Sequence, residues 1–229
     1  MSCRLRHVFA FLLLVLPVVQ LRAQSASPGS HADKSAAQAS LGPGSVSNGA
    51  YRNKPLGLTC KIPDGWVFRT DQMNAEQEQE RGSTKDSASA SKTEAQASSA
   101  GAKVLLAAFS RPPEAAGQEV NSSILIAAEP VSAYPGLQGP EQYFTPLSEV
   151  AEAQGFSRDR DPYEISIGPQ TLVRADFHKD VGTRVMRQST LVMLSRGYAI
   201  SITAIAGTQD GVEELLNGLD FEGSAKSAK

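Results

Sequence analysis

The stretch YRNKPLGLTCKIPDGWVFR at 51–69 decides the predicted fold, because it joins a strand to a turn and an aromatic residue. The segment PDGW at 63–66 supplies turn chemistry and returns Trp66 to the core. Alternation before the turn predicts a half-buried strand over 56–62. Its apolar face carries Leu56, Leu58, Cys60 and Ile62.

Cys60 lies on the apolar face of this strand, six residues before the only tryptophan. Free cysteine is among the most buried residue types, so we expect a small buried apolar side chain. The alternative is a free reactive thiol. The other cysteine, Cys3, lies in the segment that we expect to be removed.

The N-terminus has the pattern of a secretory signal peptide. A basic start precedes the apolar run 8–21, and small residues follow it. The run is short for a membrane span, which needs about 20 residues. We predict a signal peptide over 1–23, cleaved after Ala23, and an extracytoplasmic protein, either periplasmic or secreted. The alternative is an uncleaved membrane anchor.

The charge balance is mildly acidic. The removed segment carries Arg4, Arg6 and Arg22 and no acidic residue, so cleavage takes the formal charge from −2 to −5. Nucleic-acid binding is typical of clustered lysine and arginine, and this pattern argues against it.

Composition divides the rest of the chain into segments. Residues 24–50 are rich in Ser, Ala, Gly and Pro and predict a disordered tether. Residues 51–222 form the predicted folded domain, and 223–229 a polar tail. The polar stretch 71–103 predicts a disordered insertion, with a short solvated helix over 72–81. The alternative is a domain boundary, but too little apolar sequence precedes it to fold alone.

The remaining periodic segments predict an α+β fold, a three-layer sandwich whose largely antiparallel sheet is flanked by helices. Short turns between successive strands predict an antiparallel meander. Strands are predicted at 104–110, 122–131, 162–168, 170–180, 183–194 and 198–206, and helices at 145–155 and from Asp210 to about 219.

Both predicted helices have capping residues in the sequence. Thr145 is the expected cap of the first helix, with Pro146 at its first position. Asp210 and Glu213 are spaced as a capping box at the start of the second.

The opening stretch resembles the start of PsbP-like proteins, which include the extrinsic PsbP subunit of photosystem II and LpqN-type secreted proteins. The later order of helix, strand meander and C-terminal helix is also similar, and the resemblance covers about 51–222. The matching positions are Tyr51, Asn53, Gly57, Pro63, Gly65 and Trp66. The resemblance implies a three-layer sandwich and a non-catalytic role in binding or supporting larger assemblies. It transfers no catalytic, metal-binding or cofactor-binding residue.

One predicted strand carries three polar side chains of types that could form a catalytic site. Alternation places Arg174, Asp176 and His178 on one face, which we expect to be a solvated surface. Arg187 on the neighbouring strand is expected to pair with Asp176. The functional alternative is a hydrolase centred on His178 and Asp176.

The leading hypothesis is an exported, non-enzymatic domain that binds a protein partner or supports an envelope assembly. It assigns no catalytic residue, metal or cofactor. The alternative is a carrier that holds a small apolar ligand between sheet and helix. The residues expected to line that ligand site are Trp66, Phe109, Phe144 and Met193.

Overall fold

A computed structural model describes residues 41–85, 102–115, 117 and 119–222. These residues form two antiparallel sheets and three helices, which confirms the predicted α+β sandwich. The strands are β1 (Ser45–Ser47), β2 (Ala50–Asn53), β3 (Leu58–Lys61), β4 (Val67–Phe68), β5 (Lys103–Phe109), β6 (Ser123–Pro130), β7 (Ser157–Arg158), β8 (Tyr163–Ile167), β9 (Gln170–Val181), β10 (Arg184–Ser195), β11 (Tyr198–Ala206) and β12 (Leu219–Phe221). The helices are α1 (Thr70–Lys85), α2 (Phe144–Ala153) and α3 (Gln209–Asn217).

The large sheet has the order β4-β5-β6-β11-β10-β9-β7, with β8 also paired to β9. Its second half is the antiparallel meander predicted from the short turns. The small sheet has the order β1-β2-β3-β12. The chain therefore closes the small sheet with a strand that follows the last helix.

The two faces of the large sheet are covered by different elements. The small sheet and α3 pack on one face, where Leu58 and Leu215 meet Ile202 of β11. Helix α2 and the 3-10 turn before it pack on the other face, where Phe144 contacts a cluster that includes Phe177. Burial of both faces explains the continuous apolar sequence of the central strands.

The predicted tether is too long at its C-terminal end. Residues 41–50, assigned to the tether, contain β1 and the turn into β2. The Asn53 amide, fully buried, donates a hydrogen bond to the Leu41 carbonyl at 3.2 Å. The Tyr51 hydroxyl donates to the Pro43 carbonyl at 3.2 Å. These two bonds fix a segment whose composition alone predicts disorder.

The predicted strand over 56–62 is shorter than expected. Residues Lys54–Leu56 form a 3-10 turn that ends at Gly57, with φ of 63°. A Cβ at Gly57 would lie 3.0 Å from the Glu222 carbonyl oxygen, so both conformation and space favour glycine there. The strand β3 begins only after this turn.

The predicted insertion begins with an ordered helix. The short helix predicted over 72–81 is longer in the structure, where α1 covers Thr70–Lys85. The Asn74 side chain bonds both backbone groups of Val104, accepting from its N–H at 3.0 Å and donating to its carbonyl at 2.9 Å. Residues 86–101 lie outside the described residues, as do the predicted signal peptide, 24–40 of the tether and the polar tail.

Both predicted helix caps are wrong. Helix α2 begins at Phe144 directly after a 3-10 turn, so Thr145 lies inside it. Helix α3 is capped by Thr208, whose hydroxyl accepts from the Gly211 N–H at 3.0 Å. Glu213 contacts Arg174 instead of closing a capping box.

The predicted turn at 63–66 is present, with Gly65 at φ of 79°. Trp66, however, is only partly buried and packs at the margin of the core.

Cys60 is fully buried in the middle of the small sheet, between β2 and β12.

No helix in the described part of the chain is long and apolar enough to cross a membrane.

Burial raises the pKa of the Cys60 thiol to about 12, so the reactive thiolate is scarce at neutral pH. After removal of 1–23, Cys60 is the only cysteine. We expect no labelling by a thiol-specific disulfide reagent at pH 8 in the folded protein, and complete labelling in guanidinium chloride. A Ser47→Cys variant, at an exposed position, should gain one rapidly labelled thiol. Rapid labelling of native Cys60 would show that the small sheet opens readily.

Candidate functional site

A cleft of about 390 Å³ opens where the free edge of β1 approaches the junction of β4 and α1. The small-sheet wall consists of 43–46 and Tyr51, and the opposite wall of 68–72, Leu105 and Leu106. We call this site the edge cleft. Its volume lies within the range of about 300–1,000 Å³ that is typical of ligand-binding pockets.

The first wall is a tight hairpin. Asn48 and Gly49 have φ of 50° and 66°, the positive values that a two-residue type I′ turn requires. Ser47 and Ala50 face each other across this turn, and Val46 faces Tyr51. Strand β1 is therefore held by β2 on one side, while its other side lies toward the cleft.

Tyr51 supports this wall from behind. Its hydroxyl bonds the Pro43 carbonyl, and its ring packs closely against Gly44. A Cβ at Gly44 would lie 2.4 Å from the ring, and the residue has φ of 73°. A side chain at Gly44 would therefore push the hairpin away from Tyr51 and change the cleft.

The opposite wall is fixed by the start of α1. The Arg69 N–H donates to the Ala107 carbonyl at 2.9 Å, and the Thr70 hydroxyl accepts from the Ala107 N–H at 2.9 Å. The Arg69 guanidinium donates to the Gln72 side chain at 2.6 Å and pairs with Glu114. The charge of Arg69 is thus compensated at the rim.

The edge cleft exposes large apolar side chains. Val46 is 46% exposed and Phe68 44% exposed, and both line the cleft. The third large hydrophobic residue of comparable exposure in the described residues is Val181, at the turn between β9 and β10. Contiguous exposed apolar groups typically mark interaction sites, whereas isolated ones are ordinary.

Sequence reasoning missed Val46 and Phe68. The signal for the first wall is present as SVSNGAYRN at 45–53, where Asn-Gly between alternating residues is a strong hairpin pattern. The pattern lies at the end of a low-complexity stretch, and the composition of that stretch led to the prediction of disorder instead of a hairpin. Exposure of Phe68 has no local signal, because it depends on where β1 ends.

A buried polar network lies elsewhere, on β9. The sequence predicts a solvated face for Arg174, Asp176 and His178, but Arg174 is 7% exposed and Asp176 5% exposed. The expectation is wrong for these two because their face of β9 is the one under α3, which brings Glu213 onto Arg174. His178 remains partly exposed.

Arg174 is the centre of the network. Its Nε donates to the Asp176 carboxylate at 2.8 Å, and its Nη2 donates to the Ser189 hydroxyl at 3.0 Å. Its Nη1 donates to Glu213 of α3 at 3.1 Å. The Ser189 hydroxyl in turn donates to Asp176. One guanidinium therefore connects two strands and a helix.

Two further side chains close the network at its rim. The Tyr163 hydroxyl donates to Asp176 at 2.9 Å, and Arg160 Nη2 donates to the same carboxylate oxygen at 3.1 Å. The Arg160 guanidinium stacks 3.9 Å from the centre of the Tyr163 ring. The Asp176 carboxylate is thus bonded at both oxygens.

The carboxylates of the network are held in the charged form. Burial alone would raise the pKa of Asp176, but the hydrogen bonds from its four neighbours outweigh burial and hold the pKa below its usual range. The hydrogen bond from Arg174 lowers the pKa of Glu213. The positive and negative groups compensate each other, which indicates a structural network.

His178 has a different partner from the one expected. Its Nδ1 contacts Asp159, and Arg187 lies 3.5 Å from the other oxygen of Asp159. In the strand register Arg187 is opposite His178, and Ser189 is opposite Asp176. The predicted pair of Arg187 with Asp176 is therefore wrong. His178 and Asp176 contact different partners, and the hydrolase alternative stays a prediction.

A half-buried carboxyl group, that of Glu129, lies on β6. Burial raises the pKa of Glu129, partly offset by hydrogen bonds from Tyr134 and Tyr143. The two tyrosine rings pack edge to face, with centroids 5.0 Å apart. This group fixes the 3-10 turn before α2 on the sheet.

The four residues predicted to line an apolar ligand site do not come together. Phe144 lies in the cluster beneath α2, and Met193 lies in the cluster on the opposite face of the large sheet. Trp66 packs against the same cluster as Met193, and Phe109 is partly buried on β5. The predicted set does not form one site, because α2 carries Phe144 on the other face of the large sheet.

Among the described residues, no group of three or more His, Cys, Asp or Glu side chains is placed to hold a metal ion.

No family model matches the chain, and no curated protein matches it either. Solved structures do match. One is LpqN of Mycobacterium tuberculosis, described as involved in cell envelope biogenesis, at 12% identity and a TM-score of 0.36, covering 72% of this chain and 83% of that one. Membership of the PsbP-like family stays a prediction.

Two further structures are similar at the same level. A protein of unknown function from Pseudomonas aeruginosa matches at 19% identity and a TM-score of 0.32, covering 44% of this chain and 68% of that one. A protein from Bacteroides thetaiotaomicron matches at 9% identity and a TM-score of 0.33, covering 74% of this chain and 46% of that one.

Replacing Asp176 with Asn should lower the free energy of unfolding by about 1.5–3 kcal/mol at pH 7, because the buried Arg174 guanidinium loses one of its two carboxylate partners. The stability contributed by Asp176 is present above the ordinary Asp pKa of about 4 and is lost as the pH falls through the lower folded pKa. The variant should not show this part of the acid sensitivity. Urea unfolding between pH 7 and pH 2 measures both effects.

The matched control is Asp180→Asn, at an exposed position of the same strand, which should change the free energy of unfolding by less than about 0.5 kcal/mol. Equal effects of the two substitutions would contradict the structural role of the network.

Proposed function

We propose that this chain is an exported, non-enzymatic domain that binds a protein partner through the edge cleft. The observation that carries the proposal is the pairing of Val46 and Phe68, two exposed apolar side chains on opposite walls of one cleft. A partner that covers them removes apolar surface from water on both walls at once. Full burial of one such side chain stabilises by about 1.5–3 kcal/mol.

The chemistry of the lining supports binding. It consists of aliphatic and aromatic side chains, hydroxyls and backbone, with Arg69 and Asp71 at one end. The Arg69 charge is already paired with Glu114. The carboxylates of Asp176 and Glu213 accept hydrogen bonds from Arg174 in the separate network. The apolar surface and the charged groups thus have separate places in the fold.

The export part of the proposal rests on the sequence pattern of 1–23. An extracytoplasmic domain with an apolar cleft is suited to contact envelope or secreted proteins. A role in supporting an envelope assembly follows from such contacts.

A photo-crosslinking amino acid at position 68 tests the proposal in the protein's own host. Phe68 and Val181 have nearly equal exposure, 44% and 47%, so position 181 is a matched control on another part of the fold. We expect a defined protein adduct from position 68 that is weak or absent from position 181. Mass spectrometry of the adduct identifies the partner.

Binding of the identified partner, once purified, should then depend on the cleft. Phe68→Ser should weaken the Kd at least about tenfold, and Val181→Ser should leave it unchanged. Equal adducts at both positions, or an unchanged Kd for Phe68→Ser, would remove the edge cleft as the binding site.

A further inference from the structure

The outer side of β1 is an open sheet edge. In a hairpin with a two-residue turn, the residues flanking the turn exchange both backbone hydrogen bonds, and the next pair exchanges none. Ser47 and Ala50 flank the turn, and Val46 and Tyr51 form the next pair. The N–H and C=O of Val46 therefore point away from β2. Strand β1 is the terminal strand of the small sheet, so these groups have no strand partner among the described residues.

The neighbouring edge of the large sheet is mostly covered. Strand β5 is covered by β4 over Ala108 and Phe109. Beyond that point the side chains of Thr70 and Asn74, one turn apart on α1, bond the backbone of β5. The large sheet therefore ends beside the cleft in the two-residue β4, and the three-residue β1 is the longer of the two terminal strands.

Strand β1 is only three residues long, which is one way of limiting pairing, but it lacks the other usual features that block pairing. Edge strands are commonly protected by lysine, proline, a bulge or an inward charge. The sequence of β1 is Ser45-Val46-Ser47, with no charge and no proline. All three residues are exposed. Neither the residue types of β1 nor its place in the sheet of described residues blocks pairing with a further strand.

We propose that the occupant of the edge cleft is an extended, uncharged segment of a partner protein that adds a strand to β1 through the N–H and C=O of Val46. Strand addition gives affinity through the backbone and selectivity through alternate side chains. The apolar side chains of the segment lie between Val46 and Phe68. This inference rests on the proposed function and specifies the form of its partner.

The size of the site favours an extended segment. A volume of about 390 Å³ holds side chains of a single segment and excludes a folded domain. A second copy that pairs its own β1 brings a three-residue strand. That contact falls short of the roughly 1,200 Å² that stable interfaces bury. A segment inside the cleft instead contacts both walls.

Charge favours an uncharged segment. The two charged residues of the lining, Arg69 and Asp71, have opposite signs, and Arg69 is paired with Glu114. Because the charges of the lining have opposite signs, the cleft offers a charged side chain little net attraction to offset the water that it would lose.

Selection of random nine-residue peptides displayed on phage against the purified protein tests the proposal. Val46→Pro removes the outward N–H without touching the bonds to β2, because proline is tolerated where an edge-strand N–H faces solvent. Val46→Thr keeps the N–H and the shape but replaces a methyl group with a hydroxyl, so it measures the side-chain contribution separately from that of the N–H. Unchanged circular dichroism and protection of Cys60 show that each variant is folded.

We expect enriched peptides with alternating apolar residues and no charges. Synthesised individually, they should bind the wild type, lose at least tenfold in Kd with Val46→Pro, and lose clearly less with Val46→Thr, which keeps the N–H. Peptides that bind Val46→Pro as well as wild type but lose affinity for Phe68→Ser would overturn strand addition and keep the edge cleft as a binding site. No enrichment over a Val46→Pro, Phe68→Ser double variant would overturn both. A wild-type dimer that Val46→Pro abolishes would place a second copy at β1 and overturn this occupant.

Discussion

The rest of the structure depends on burial of the large-sheet face that carries Ile126, Leu191 and Ile202. A sheet wider than one helix needs more cover than α3 supplies, and the small sheet provides it. The small sheet is assembled from both ends of the described chain, since β1 to β3 come before α1 and β12 follows α3. Cover by a second sheet introduces new edges, and the edge of β1 is the one that meets the edge cleft.

The polar network stabilises charged side chains that are buried on the same face of the large sheet. Charged groups beneath a helix are stable only when their charges and hydrogen bonds are matched. Arg174 bonds Asp176, Ser189 and Glu213, so α3 is fixed to the sheet by bonds with defined geometry in addition to its apolar stripe. Such a network specifies one position of α3, and through α3 the position of β12.

The sequence predicts the elements that depend on local pattern. The meander from β8 to β11, the buried Cys60 and the apolar residues of α3 follow from alternation and helical period. What depends on tertiary contact is not predictable in this way. Residues 41–50 are ordered because Tyr51 and Asn53 bond the carbonyls of Pro43 and Leu41, and Arg174 is buried on the sheet face where Glu213 of α3 contacts it. The open edge of β1 is a property of the sheet order, which no single segment encodes.

The most direct test of an open edge at β1 is the hydrogen-exchange rate of the Val46 amide, measured by NMR in the unbound protein. We expect the Val46 amide to exchange near the rate of an unstructured peptide, and the Cys60 amide, which lies between two strands, to be strongly protected. Protection of Val46 equal to that of Cys60 would show that the edge of β1 is already paired, and would contradict the claim that the cleft is open to a partner.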